Sequence, residues 1–336
     1  MKILVINLMP AIGELLFVTP VFKVIKQAYP EAKVEALVAS QVHEICIFNQ
    51  YIDNIINIDK NGRQAGIWEH LELIRKIRKA QYDLVINLNR SERTSLIAAF
   101  SGGKKVCGFA SKVFKLFFNP WLKKDRSIHS ADSYLKVLRA IGIPSQTKNY
   151  LEMRYDEKVV EKANRMWQKN FLANSKVVGI HPGANWPNKR WKPEYLAILS
   201  DMLQQSGIKT VFFGGKDDLH IVEKVVGLCK VRPVVYTGKL TLLELAAMIK
   251  KCSVFVSADS GPMHIAASQQ VPIVALFGPT NPIRYGPYNV PHLILQPDND
   301  YIMDGECKLE KNSMDLIFPK KVYQAVLSLL ETYCSD

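Results

Sequence analysis

Residues 254–267 read VFVSADSGPMHIAA, and the fold is decided by how this stretch is parsed. A nearly unbroken apolar run, Val254 to Ala258, stops at Asp259 and is followed by Ser260, Gly261 and Pro262, with His264 one turn further on. Apolar residues without polar alternation are the pattern of a strand in a parallel sheet covered on both faces. Proline is tolerated in the first turn of a helix, where its missing N–H costs nothing, so the helix begins near Gly261-Pro262. Strand, bare glycine turn and helix follow one another with no spacer, as in a βα unit. The unpaired N–H groups at such a helix start form a ready anion site. Gly261 leaves the approach open, Ser260 can donate and His264 projects from the first turn, an arrangement that fits a phosphate or diphosphate. Asp259 would repel phosphates but accept hydrogen bonds from sugar hydroxyls beside them. The residues alone leave a plainer use open, with Asp259 or Ser260 as the helix cap.

The same grammar extends in both directions. VVGIHPG (177–183), TVFFGG (210–215), PVVYTG (233–238) and IVALFG (273–278) are further strands, with helices near 193–206, 218–229, 241–252 and 262–269. Four of the five strands end in or just before glycine, as expected where backbone approaches a ligand at the carboxyl edge of a sheet. The first half repeats the pattern. KILVINL (2–8), KVEALVA (33–39), NIINID (54–59) and DLVINL (83–88) are strands, and HLELIRKIRKA (70–80) is an amphipathic helix. ELLFVTPVFKVIKQAYP (14–30) reads as one helix that Pro20 kinks or delays. The opening MKILVINL is therefore a first strand and not a signal peptide, having no small-residue cleavage site.

The length of 336 residues suggests two domains. The reading is an α/β protein of two Rossmann-like domains facing across a cleft, residues 1–155 and 156–318. The helix FPKKVYQAVLSLLETY (318–333) carries an apolar stripe at Val322, Val326, Leu329 and Leu330, and the terminal segment 319–336 is free to pack on either domain. Neither half contains G-x-G-x-x-G, which weighs against a dehydrogenase, and no G-x-x-x-x-G-K-[ST] loop marks a P-loop NTPase. No apolar run approaches the roughly 18 residues needed to span a bilayer. The six cysteines (46, 107, 229, 252, 307 and 334) show no CxxC spacing and read as reduced thiols in a cytoplasmic protein.

Two loops add to the anion site. HPGANWPNKRW (181–191) leaves a strand of the same sheet and supplies Lys189 and Arg190, cations suited to a diphosphate. FFGGKDD (212–218) offers Gly214 and Gly215, against which a flat base or ribose can lie, and Asp217 and Asp218, which either bind ribose hydroxyls or cap the next helix.

Net charge is +13 overall and is unevenly divided. Residues 1–155 hold 23 Lys/Arg against 13 Asp/Glu, a net of +10, whereas residues 156–336 hold 21 against 18. Seven bases and one acid fall between Lys104 and Arg126, among Phe109, Phe114, Phe117, Phe118 and Trp121. Such a surface attracts an anionic partner, and its alternative is a solvated basic face over core aromatics. A nucleic-acid binder is ranked last, since no recognised nucleic-acid motif accompanies the charge.

HPGANWPNKRW, FFGGKDD, TGKLTLLELAAMI (237–249) and above all ADSGPMHIAASQQVPIVALFGPTNP (258–282) resemble glycosyltransferase family 9, the ADP-heptose–lipopolysaccharide heptosyltransferases. The likeness extends to Cys307 with SMDLI (313–317) and to the opening ILVINLMPAIGELLFVTPVFKVIK (3–26), and is least distinctive over 100–175. It implies a two-domain glycosyltransferase of the GT-B type that inverts the sugar carbon and needs neither metal nor organic cofactor. It also implies that the second domain holds the nucleotide-sugar and the first receives the acceptor. Lys189 would then contact donor phosphate or sugar, Asp259 the sugar, and Gly261 with His264 the diphosphate. Glu14, after glycine in AIGELL, matches the family's acidic general base. The family usually has aspartate there and a basic residue where Asn7 stands, so the acceptor side departs from the pattern. On residues alone, Glu14 is a first-turn acid favoured by the helix dipole.

The resemblance gives the basic stretch a use. Lys112, Lys115, Lys123 and Lys124, with Phe117, Phe118 and Trp121, would face the phosphorylated lipopolysaccharide core and lipid A at the inner membrane's cytoplasmic leaflet, making the protein peripheral there. Asp298-Asn299-Asp300 spells D-x-D but follows HLILQ in a polar loop, and it reads as a solvated turn rather than a metal site. The rivals that remain are another nucleotide-sugar-dependent glycosyltransferase of the same fold, a nucleotide-sugar epimerase or hydrolase, and a non-catalytic nucleotide-sugar binder.

Overall fold

The computed structural model describes residues 1–59, 66–145, 148–170, 172–297 and 313–334. The chain divides into two compact units, Met1–Arg154 and Tyr155–Asp336. Asp298-Asn299-Asp300 and Cys307 lie outside the described residues.

In the first unit the order is β1 (Lys2–Asn7), α1 (Ile12–Leu16), α2 (Thr19–Ala28), β2 (Lys33–Ala39), β3 (Asn54–Ile58), α3 (Ile67–Lys79), β4 (Leu84–Asn87), α4 (Glu92–Ala99), β5 (Lys105–Phe109), β6 (Trp121–Leu122) and α5 (Ser130–Ala140). The sheet runs β3-β2-β1-β4-β5-β6, every neighbouring pair parallel. Ile3 to Asn7 are all buried, which is why β1 shows no polar alternation.

The expected single helix over 14–30 is two. The first turn of α2 holds Pro20, and the chain breaks at Phe17-Val18, since a proline there would otherwise remove an interior hydrogen bond. Three strands escaped the sequence reading: β5, β6 and, in the second unit, β12. The β5 strand is hidden in the basic, aromatic stretch. Gly108 adopts φ +113°, and a Cβ there would lie 2.2 Å from the Asn87 carbonyl oxygen, so only glycine fits. Phe109 and Phe118 are buried, and Phe114 packs against the same core, so these three are not surface aromatics.

The second unit runs α6 (Glu157–Lys169), β7 (Val177–His181), α7 (Pro193–Gln205), β8 (Lys209–Phe212), α8 (Leu219–Leu228), β9 (Val234–Val235), α9 (Leu242–Ile249), β10 (Val254–Ala258), α10 (Gly261–Ser268), β11 (Ile273–Leu276), α11 (Pro282–Tyr285), β12 (His292–Leu295) and α12 (Pro319–Tyr333). Its parallel sheet has the order β12-β11-β10-β7-β8-β9. Counted from its own first strand, this repeats the order of the first unit. The α12 helix buries Val322, Val326, Leu329 and Leu330 in the core of the second unit beside Leu196, Leu199 and Leu203 of α7. Each such side chain contributes about 1.5–3 kcal/mol of apolar burial. Just before α12, the Trp191 indole donates to the Ile317 carbonyl at 2.8 Å.

Burial pushes the Cys46 and Cys107 thiols up to about 12, and the described cysteines are free thiols. Among the described residues, no helix is long and apolar enough to cross a membrane.

Candidate active site

Each sheet reverses its strand order once, between β1 and β4 in the first unit and between β7 and β10 in the second. Ligands of open α/β sheets bind outside the strand carboxyl ends at such a reversal. His181 at the end of β7 is the register partner of Ser257 near the end of β10. The HPGANWPNKRW loop and the ADSGP turn therefore leave the sheet side by side.

The Lys189 ammonium, carried on a short 3-10 turn after Pro187, donates to Asp259 Oδ2 at 2.7 Å. The other carboxylate oxygen, Oδ1, lies 3.8 Å from His264 Nε2. The Lys189 and Asp259 side chains are 19% and 10% exposed, and His264 is buried. Burial alone would raise the Asp259 pKa, but His264 and Lys189 outweigh it and hold the carboxyl at about 2. The sequence placed these three residues at one site and they meet, but His264, expected to project toward a diphosphate, is buried with its Nε2 toward Asp259.

Ser260 occupies the N-cap position of α10 with extended backbone, φ −153° and ψ 166°, yet makes no side-chain cap. Its hydroxyl is engaged instead with His181 Nδ1 at 3.0 Å and Ser257 Oγ at 2.9 Å. In α9, by contrast, Thr241 accepts from the Glu244 N–H and forms a full capping box. The capping use that the sequence left open for Ser260 is therefore not the one adopted.

Asp218 sits at the same sheet edge but is turned inward. Its Oδ2 accepts from the Gly215 N–H at 2.8 Å and lies 3.4 Å from His181 Nε2. Burial would raise its pKa, and His181, the Gly215 N–H and the Arg190 charge reverse that and lower it. A Cβ at Gly183 would fall 1.9 Å from Asp218 Oδ1, and one at Gly214 would fall 2.7 Å from Oδ2. These glycines make room for the carboxylate, so Asp218 ties two loops together rather than pointing its oxygens to solvent. Asp217 and Gly215 are exposed beside it, and Arg190 donates through Nε to the Ala184 carbonyl at 2.9 Å.

In the first unit, Glu14 stands in the first turn of α1, just beyond the carboxyl end of β1 at the reversal. The Tyr134 phenol of α5 donates to Glu14 Oε2, and Lys124 Nζ lies 3.4 Å from the same oxygen. Lys124 thus departs from the outward-facing group expected of it, whereas Lys112, Lys115 and Lys123 are exposed. Asn7 is buried, and its side-chain oxygen accepts from the Met9 N–H at 3.0 Å.

Sequence reasoning missed His181, Ser257 and Tyr134. A signal existed for His181, a histidine ending a strand immediately before Pro-Gly at a sheet's carboxyl edge. None existed for Tyr134, whose setting in SADSYLKVLRA is that of an ordinary core aromatic.

The family model for Glycosyltransferase family 9 (heptosyltransferase) matches residues 70–311. The lipopolysaccharide core heptosyltransferase OpsX of Haemophilus influenzae is 29% identical over 86% of this chain and 82% of its own. Among solved structures, the glycosyl transferase family 9 protein of Veillonella parvula superposes with TM-score 0.90 at 32% identity, covering 98% of this chain and 97% of that one. The fold is shared with the Escherichia coli ADP-heptose lipopolysaccharide heptosyltransferase II, with TM-score 0.82, 22% identity and both chains fully covered. Two six-stranded parallel sheets of one strand order and the extent of the family match lead to one conclusion: this chain belongs to glycosyltransferase family 9, the heptosyltransferases, enzymes that transfer a sugar from a nucleotide-sugar donor.

Proposed function

We propose that the chain transfers heptose from ADP-heptose to the lipopolysaccharide inner core, with inversion and without a metal ion. The observation that carries this reading is the start of α10 at the reversal between β7 and β10, where Ser260 leaves the helix uncapped and Lys189 stands beside Asp259. The helix N-terminus and the Lys189 ammonium offset the charge that grows on the departing diphosphate, the task a divalent cation performs in other sites. Asp259 accepts hydrogen bonds from sugar hydroxyls. Gly214, Gly215 and Asp217 flank the nucleoside, Arg190 adds a second cation and His264 orients Asp259.

On the acceptor side, Glu14 takes the proton of the attacking hydroxyl as the new C–O bond forms. The bond from the sugar carbon to the diphosphate breaks in the same displacement, which inverts that carbon. Exposed Lys112, Lys115 and Lys123, together with Leu116, Phe117 and Trp121, form a basic and apolar face suited to phosphorylated lipid headgroups. The protein would then work in the cytoplasm at the surface of the inner membrane.

Calorimetry with ADP, UDP and GDP, followed by transfer assays in excess chelator, tests the reading. Preference for ADP and retained transfer are expected. Selective binding of UDP, or a strict requirement for Mg²⁺ or Mn²⁺, would overturn the donor and metal assignments respectively. Conversion of donor without any glycan acceptor would indicate an epimerase or hydrolase.

A further inference from the structure

We propose that Tyr134 and Lys124 are positioning residues for Glu14, holding one carboxylate oxygen so that the other is presented to the acceptor hydroxyl. The inference rests on the reading of Glu14 as the base and adds how that base is aimed.

Glu14, Lys124 and Tyr134 come from three separate segments of the first unit. The Tyr134 hydroxyl donates to Glu14 Oε2. Lys124 Nζ lies 3.4 Å from that same oxygen, donates to the Tyr134 hydroxyl at 3.0 Å and sits 4.6 Å above the tyrosine ring centroid. Both donors converge on Oε2. Among the described residues, none donates to Oε1, and the Glu14 side chain remains 17% exposed. The carboxylate therefore has one oxygen engaged and one available.

Tyr134 is itself fixed. It is 1% exposed, lies on α5, and packs with its ring centroid 6.0 Å from that of Phe109 on β5. A rigid phenol at the end of a packed ring is a better anchor than a surface lysine alone. The length of the side chain gives the anchor its purpose. Glutamate has one more rotatable bond than aspartate, and a free glutamate samples several rotamers, which lowers the fraction aimed at substrate. Two donors on Oε2 remove that freedom, and misplacing a reacting group by about 1 Å costs up to 100-fold in rate. Lys124 keeps the tyrosine proton directed at glutamate, because its ammonium can only donate to the phenol oxygen. When the acceptor proton moves to Oε1, both donors stay on Oε2, so the step needs no rearrangement.

The experiment compares Glu14→Gln, Tyr134→Phe, Lys124→Met and Lys124→Arg by steady-state transfer kinetics, with calorimetric ADP binding measured on each. Glu14→Gln is expected to lower kcat by about 100-fold or more. If it does not, the reading of Glu14 as the base fails. With Glu14→Gln inactive, Tyr134→Phe and Lys124→Met are expected to lower kcat by about 10–100-fold while acceptor KM and ADP affinity hold. Lys124→Arg should retain most of the wild-type rate. The double variant Glu14→Asp/Tyr134→Phe should be no slower than Glu14→Asp alone, because the shorter side chain no longer reaches the phenol. Wild-type kcat in Tyr134→Phe, or additive losses in the double variant, would overturn the inference and leave the base assignment standing. A fall in ADP affinity matching the fall in kcat would show a merely structural role. Should Tyr134→Phe not fold, the two Lys124 variants decide the matter by the same criteria.

Discussion

Replacing Lys189 by methionine removes the cation from Asp259 while keeping the length of the stem. Two separate effects follow from the geometry. The 2.7 Å ion pair is largely withdrawn from solvent, with side chains 19% and 10% exposed. Breaking a fully buried pair costs about 3–5 kcal/mol, and Asp259 here retains His264 and some solvent, so about 2 kcal/mol is the reasonable loss. For a unit of this size that lowers the melting temperature by roughly 4–8 °C. The sign of its pH dependence is fixed by Asp259, whose carboxyl is held at about 2 when folded. A depressed folded pKa contributes stability that is present above the unfolded value of about 3.9 and is lost as pH falls through the folded one. The gap between wild type and Lys189→Met should thus close between about pH 4 and pH 2. The second effect is on donor binding. Losing a charge-assisted contact worth about 1.5–3 kcal/mol weakens ADP by roughly 10–150-fold. Calorimetric unfolding across pH and ADP titration at pH 7 measure the two separately. A variant that loses stability but binds ADP like the wild type would refute the role of Lys189 at the diphosphate.

Three further outcomes are expected. Gly183→Ala places a methyl 1.9 Å from Asp218 Oδ1 and must displace that carboxylate, costing about 1–3 kcal/mol in chemical denaturation and weakening ADP, whereas unchanged stability would show that Asp218 moves freely. Thr241→Ala removes the side chain that caps α9 and should cost about 1 kcal/mol with ADP affinity intact, as a titration beside a melting curve will show. Lys→Glu changes at Lys112, Lys115 and Lys123 should abolish salt-sensitive co-sedimentation with anionic vesicles. Sedimentation indifferent to salt and to these changes would count against a docking role for that face.

Much of the architecture could be read from the chain because parallel strands buried on both faces announce themselves as apolar runs. The β1, β2, β7, β10 and β11 strands are of this kind. The strands that escaped notice lack that signal. The β5 strand carries Lys105 and Gly108, β6 is two residues long, and β12 begins with an exposed histidine. The meeting of Lys189 with Asp259 at the ends of β7 and β10 was legible because these residues sit in two short motifs at adjacent strand ends. The wiring around Asp218 was not, since nothing in FFGGKDD distinguishes an aspartate aimed at ribose from one clasped between glycines. The surroundings of Glu14 were the least legible. The contacts of Glu14 with Lys124 and Tyr134 span 110 and 120 residues and exist only through the tertiary fold of the first unit.

The central claim is that a diphosphate binds at the amino end of α10. A crystal structure of the protein with ADP tests it most directly. The account predicts phosphoryl oxygens within hydrogen-bonding distance of the first-turn N–H groups after Ser260 and of Lys189 Nζ. Phosphates bound elsewhere, with Ser260 still held by His181 and the start of α10 untouched, would contradict it.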